Sequence, residues 1–154
     1  MGHNISNDLS DDADIKRLIR NLYATGNMII RKFNACDESV KISLFKTYCY
    51  SLYCCSLWSN YRAATWRKLK VCHNDIFRNL LGVPRFHSAS ALFVNKRTDN
   101  IDIIVRKTIF SLKNRMTLSS NALCRAVCGS EARIHSRIWR IFDITLRGSE
   151  LQLF

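Results

Sequence analysis

The range Leu44–Trp58 holds fifteen residues with a single charge, Lys46, and it reads LFKTYCYSLYCCSLW. A helix that is apolar on every side is buried in a protein and does not lie on its surface. The range is shorter than the roughly 20 apolar residues of a transmembrane helix and longer than a usual strand of about 4–8 residues. It contains no Gly or Pro to interrupt it. We therefore predict a buried central helix that begins at Asp37 or Ser39 and runs to about Ser59.

The composition favours an all-α fold. A chain of 154 residues, 47% of them hydrophobic, suffices for one domain with a large core. Five Gly and one Pro leave few tight turns, which favours helices over a many-stranded sandwich. We predict a helical bundle of about six to seven helices around the central apolar helix. The predicted organisation is a polar lead at 1–10, a helical domain at 11–128, and a C-terminal helix and tail at 129–154.

Apolar spacing and capping residues predict the other helices. The first begins at about Ser10, where acidic residues suit the positive end of the helix dipole. Its buried stripe includes Ile15 and Leu22, and Gly26 within it predicts a close packing contact or a kink. The remaining predicted helices are 61–81, ended by Gly82, a short helix from Ser88, about 101–117, a short helix closed by Gly129, and about 131–147.

Positive charge is concentrated after residue 40. The net charge is +12, yet residues 1–40 carry five basic and six acidic side chains, whereas residues 41–147 carry nineteen basic and five acidic ones. Such a surplus points to a polyanionic partner, most often nucleic acid. We expect no membrane partner. Gly2 and Ser6 do fit an N-myristoylation pattern, which leaves acylation open, although one acyl chain anchors only marginally.

The densest basic patch lies on the helix predicted at 61–81. Arg67, Lys70 and Arg78 fall within about one third of its circumference, because successive residues are about 100° apart. The helix at 101–117 carries further cations. We predict that ten residues bind a nucleic-acid backbone: Arg62, Arg67, Lys68, Lys70, Arg78, Arg85, Arg106, Lys107, Lys113 and Arg115. By contrast, we interpret the charged face of the first helix, with Lys16 and Arg20, as a solvated surface.

The seven cysteines follow neither a disulfide nor a metal pattern. Their number is odd and no Cys-x-x-Cys occurs, which favours reduced thiols in the cytosol or nucleus. Cys124, Cys128 and His135 could supply three zinc ligands, but structural zinc sites nearly always use four. Asp11 and Asp12 stand at a helix start, where acidic side chains cap, and no third carboxylate completes a two-metal site. We predict no metal, no cofactor and no catalytic residue.

An ordered set of short segments spans roughly residues 2–125. It comprises Gly2-His3, Ser10–Ile15, Leu22-Tyr23-Ala24 with Asn27, Arg31-Lys32-Phe33, Val40-Lys41, Leu44-Phe45, Tyr53-Cys54-Cys55 with Leu57-Trp58, Asn74 with Arg78, Leu81–Arg85, Ser88-Ala89-Ser90 with Leu92-Phe93-Val94, and Arg106-Lys107 with Arg115 and Ser119-Ser120-Asn121. In this order the segments resemble the end of the polymerase polyprotein of non-LTR (LINE-type) retrotransposons. The matching part is the thumb and the region behind it, immediately after the reverse-transcriptase palm.

The resemblance implies a helical thumb that holds the backbone of the template–primer hybrid while the palm extends the primer. The matching segment contains five of the predicted binding residues, namely Arg62, Arg67, Lys70, Arg78 and Arg85. The metal-binding aspartates of the palm and the endonuclease of these elements have no counterpart in the sequence. We therefore expect a non-catalytic fragment of an RNA-directed DNA polymerase, with an RNA–DNA hybrid or duplex and a palm domain as its partners.

Two other classes of function remain as alternatives. A helical scaffold or protein-interaction module would use exposed apolar surface, and its basic faces would only be solvated. A stable oligomer that ignores RNA would select it. An enzyme is the other class, but His3, His73, His87 and His135 are scattered and no Cys or Ser has a motif partner.

Overall fold

The computed structural model describes residues 7–52 and 54–130. Within these ranges the fold is all-α, as predicted, and contains no strand. The helices are α1 (Asp12–Lys32), α2 (Glu38–Cys49), α3 (Ala63–Leu80), α4 (Ala89–Asn95), α5 (Ile101–Thr117) and α6 (Ala122–Gly129), with a 3-10 turn at Cys55–Leu57 between α2 and α3. None of the described helices combines the length and the apolar character that crossing a bilayer requires.

The chain forms two compact units. The described part of the first comprises residues 7–52 and 60–102, and that of the second comprises residues 54–59 and 103–130. The first unit contains α1 to α4, and α5 begins at the end of it and continues into the second. The predicted organisation into 1–10, 11–128 and 129–154 stays a prediction. The helix predicted at 131–147 lies outside the described residues.

The first unit is built on two helices that run side by side in the same direction. Asp12 contacts Arg62, Ile19 contacts Cys72, and Gly26 contacts Ile76, so the residue numbers rise together along α1 and α3. The predicted stripe of α1 is buried in part, with Ile15, Leu22 and Ile29 at most 3% exposed. The close packing contact predicted at Gly26 is confirmed by its position against Ile76.

The most buried helix of the first unit is α3. Leu69, Cys72, His73 and Phe77 have no exposed surface, and Ile76 is 3% exposed. Around α3 lies a cluster of rings in which Phe77 stacks on Phe93 with centroids 4.5 Å apart and contacts Phe45 at 4.7 Å. Burial of side chains of this size is the main source of stability in a helical core.

The predicted central helix over Leu44–Trp58 is therefore wrong in both its length and its burial. α2 does begin after Asp37, one of the two predicted start residues, but it ends at Cys49. Only Phe45 and Cys49 of α2 are buried. The chain then turns, and Cys54 adopts a left-handed conformation with φ of 61°. An apolar run does not reveal its own direction, and Leu52, Cys55 and Trp58 are each buried although no continuous helix contains them.

Local signals placed several of the other helix ends correctly. Gly82 has φ of +65°, and the Val83 N–H donates to the Arg78 carbonyl at 2.9 Å, as in a Schellman motif at a helix C-terminus. The Ser88 Oγ accepts a hydrogen bond from the Ala91 N–H and caps α4. The bounds of α5 are those predicted, and α6 ends at Gly129.

Candidate nucleic-acid interface

An open groove of about 1100 Å³ runs along α1 and α3 within the first unit. Five of its lining side chains are cationic, namely Lys16, Arg20, Arg62, Arg67 and Lys68. Two are acidic, Asp8 and Asp12. The groove is therefore a cationic surface with a defined direction, which is the arrangement that a polyanion requires.

Hydrogen bonds between the start of α1 and the segment before α3 hold this end of the groove. The Asp11 N–H donates to the Asn60 carbonyl at 2.7 Å, and the Asn60 N–H donates to Asp11 Oδ2 at 2.8 Å. The Arg62 N–H donates to Asp12 Oδ1 at 3.0 Å. The last bond, with smaller contributions from neighbouring side chains, outweighs partial burial and lowers the pKa of Asp12. The helix start predicted here is confirmed. Asp11 occupies the N-cap position, but its side chain binds the Asn60 segment and does not cap its own helix.

Four of the groove cations are exposed and unpaired among the described residues. Lys16 and Arg20 lie one turn apart on α1, and Arg67 and Lys68 are neighbours on α3. None of them has a carboxylate within 4.0 Å in the described part of the chain. The fifth cation, Arg62, has its Nε 3.5 Å from Asp12 Oδ2, although its side chain is 87% exposed. An exposed ion pair of this kind contributes little and is easily exchanged for a phosphate contact.

Three further predicted residues of the first unit form ion pairs with carboxylates. Lys70 Nζ lies 2.6 Å from Asp102 Oδ2. Asp75 accepts from Arg78 at 3.1 Å and from Arg85 at 3.0 Å. Arg78 also donates through Nε to the His87 carbonyl at 3.0 Å and is only 15% exposed. The face that the sequence predicted as one binding surface is therefore divided between groove residues and residues that hold the fold.

The four predicted residues on α5 belong to the second unit. Arg106, Lys107 and Arg115 are exposed and Lys113 is half-buried. Arg106 and Lys113 are seven residues apart and share a helix face, whereas Arg115 points away from it. The Arg115 Nε donates to the Ser111 carbonyl of its own helix at 3.4 Å. These four cations do not form one continuous stripe, and their role stays a prediction.

Sequence reasoning missed Lys16 and Arg20 as groove residues. Their spacing of four residues was visible, but it fits a solvated face equally well. The parallel packing of α1 on α3 is what places them opposite Arg67 and Lys68. A basic pair on one helix can be assigned to a binding groove only when the neighbouring helix and its direction are known.

The buried cysteines are packed in the core and lie in no cluster of metal ligands among the described residues. No group of three potential ligands from His, Cys, Asp and Glu occurs among the described residues. All seven cysteines are free, and burial raises the pKa of Cys49 to about 12 and that of Cys55 to about 11. Thiols held in this way are poor nucleophiles. His135, considered above as a zinc ligand, lies outside the described residues.

Comparison of the chain with protein-family models, with curated proteins and with solved structures gives no match.

Proposed function

We propose that the chain is a non-catalytic, thumb-like helical fragment of a LINE-type reverse transcriptase that binds the backbone of an RNA–DNA hybrid or duplex without sequence specificity. The observation that carries the proposal is the groove between α1 and α3, with Lys16 and Arg20 on one side and Arg67 and Lys68 on the other. The resemblance in the sequence supplies the choice of polymerase. A palm domain would supply the active site of the parent protein, and the free thiols suit the cytosol or nucleus.

The length of the groove suits a run of phosphates. From Asp12 to Tyr23 the axis of α1 extends about 16 Å at 1.5 Å per residue. Phosphates along one strand of a duplex are about 3.4 Å apart along the axis, so about five of them fit this length. Five cations therefore face a similar number of negative charges. Binding would release condensed counterions, which makes its affinity steeply dependent on salt.

The same geometry argues against reading of the base sequence. Lysine and arginine contacts to phosphates fix the position of a nucleic acid but do not distinguish its bases. The cations line a groove between α1 and α3, where they can contact a backbone. A module that holds any template for another active site requires this lack of discrimination.

Titration of a labelled RNA–DNA hybrid with the full chain across a salt series tests the proposal. With about five phosphates neutralised, the slope of log K against log [salt] is expected between about −4 and −5. Hybrids of unrelated sequence should bind alike. A flat salt response contradicts the proposal, and a stable oligomer that ignores the hybrid would favour the scaffold function.

Charge reversal identifies the surface that binds. Arg67→Glu with Lys68→Glu should weaken binding to all sequences and make the slope shallower by about 2, since each lost phosphate contact contributes about 0.9. The matched control is Lys32→Glu with Lys46→Glu, which changes the net charge equally. Lys32 is exposed about 24 Å further along α1 than Lys16 and about 160° around it. Equal losses in both double variants would show that only net charge matters and that the groove is not the site.

A further inference from the structure

Apolar side chains line the groove at the end opposite Asp12 and Arg62. Tyr23 on α1 is 41% exposed, Val71 on α3 is 42% exposed, and Ile19 beside them is half-buried. Because α1 and α3 run parallel, Tyr23 and Val71 lie towards the same end. The phosphates of a duplex bind cations but gain nothing from these three side chains.

The Tyr23 side chain lies near the buried Cys72 of α3. The Cys72 Sγ, which is buried, lies 3.8 Å from the carbonyl of Ile19, one turn before Tyr23 on α1. Partial burial raises the pKa of Tyr23 above its ordinary value. A tyrosine that lines the groove and is exposed over two fifths of its surface can serve as a stacking platform.

An unpaired nucleotide can use the apolar end of the groove, because its base can stack on an aromatic ring. Proteins that bind single strands combine a cationic groove with aromatic rings on which bases stack. In a duplex the faces of the bases are covered by neighbouring bases, whereas an unpaired base has an exposed face. We infer that the Tyr23 end of the groove holds an unpaired nucleotide that continues from a duplex lying along the cations. This inference rests on the proposed function.

The test compares a blunt RNA–DNA hybrid with hybrids that carry an overhang of about four nucleotides on either strand. The full chain should bind one of the overhang hybrids at least about fivefold more tightly than the blunt hybrid, as base–aromatic stacking generally provides. Tyr23→Ala should abolish this preference, so that the blunt and the overhang hybrids bind with equal affinity. Tyr23→Phe, which keeps the ring, should preserve it.

Tyr48→Ala is the control, since Tyr48 is a 51% exposed tyrosine on α2 that does not line the groove. It should leave the preference unchanged. Equal binding of blunt and overhang hybrids by the unmodified chain, or a preference that survives Tyr23→Ala, would overturn the inference and leave the proposed function intact. Failure of every hybrid to bind in a salt-dependent way would overturn both.

Discussion

His73 is the residue whose chemistry is most at odds with its surroundings. It lies on α3 with no exposed surface, and its ring centroid is 5.0 Å from that of Phe45 and 5.4 Å from that of Phe93. Neither ring nitrogen has a hydrogen-bond partner among the described residues. Burial lowers the pKa of His73 to about 4, and the charge of Asp102 opposes this only in part. The neutral ring therefore acts as an aromatic core residue.

The protein should lose stability as the pH is lowered, because His73 is buried in its neutral form. The unfolded chain binds a proton at this residue near pH 6.5, whereas the folded chain binds it only near pH 4. As pH falls through this window the unfolded state takes up more protons, so the free energy of unfolding drops by about 3 kcal/mol and levels off below pH 4. His73→Leu should remove this part of the pH dependence in urea denaturation curves.

His87→Leu is the matched control, since His87 is exposed to solvent. It should retain the pH dependence of the unmodified chain. If His73→Leu and the unmodified chain lose stability equally between pH 6.5 and pH 4, the assignment to His73 is wrong.

At the scale of elements, the contact between α1 and α3 depends on Gly26. A Cβ added to Gly26 would lie 2.6 Å from Ile76 Cγ2 and 2.9 Å from Ile76 Cγ1, closer than real contacts allow. Ile76 is buried and β-branched in a helix, so it has little freedom to move aside. The absence of a side chain at one position therefore sets how closely the two helices approach, and with it the width of the groove.

Gly26→Ala should destabilise the protein although alanine is the better helix former. Overpacking of a core contact costs about 1–3 kcal/mol, which exceeds the gain of about 1 kcal/mol in helix propensity. Chemical denaturation measures the difference. Gly129→Ala, where nothing lies within 4 Å of the added Cβ, should be neutral or stabilising. A stabilised Gly26→Ala variant would mean that α1 and α3 can separate at no cost.

At the scale of the whole molecule, the chain has 24 basic and 12 acidic residues. The structure divides the described cations into two groups. One group is held by carboxylates, as Lys70 is by Asp102 and Arg78 by Asp75. The other group, which includes Arg67 and Lys68, has no such partner in the described part of the chain. Net charge alone therefore overstates the number of cations that are available to a polyanion.

The same substitution should change stability in the first group and hybrid binding in the second. Arg78→Gln removes bonds to Asp75 and to the His87 carbonyl and should lower the free energy of unfolding by about 1–3 kcal/mol, with the salt slope of hybrid binding unchanged. Arg67→Gln should change stability by less than about 0.5 kcal/mol and make the slope shallower by about 1. Denaturation and binding titrations of both variants decide this. A shallower slope for Arg78→Gln would place Arg78 at the interface.

The sequence by itself determined most of the helices and several of their ends. Ser88 caps its own helix and Gly82 ends the one before it through bonds to atoms a few residues away, so these signals are local and readable. The glycine at position 26 could likewise be read as a contact because a glycine within a helix needs a packing reason.

Only the tertiary structure decided where the chain turns after Cys49 and which cations meet. An apolar run can be buried equally well as one continuous helix or as a shorter helix followed by a separate 3-10 turn, since the hydrophobic effect has no direction. Lys16 and Arg20 lie across the groove from Arg67 and Lys68 because α1 lies parallel to α3. Contacts between residues about fifty positions apart depend on packing, which no local pattern records.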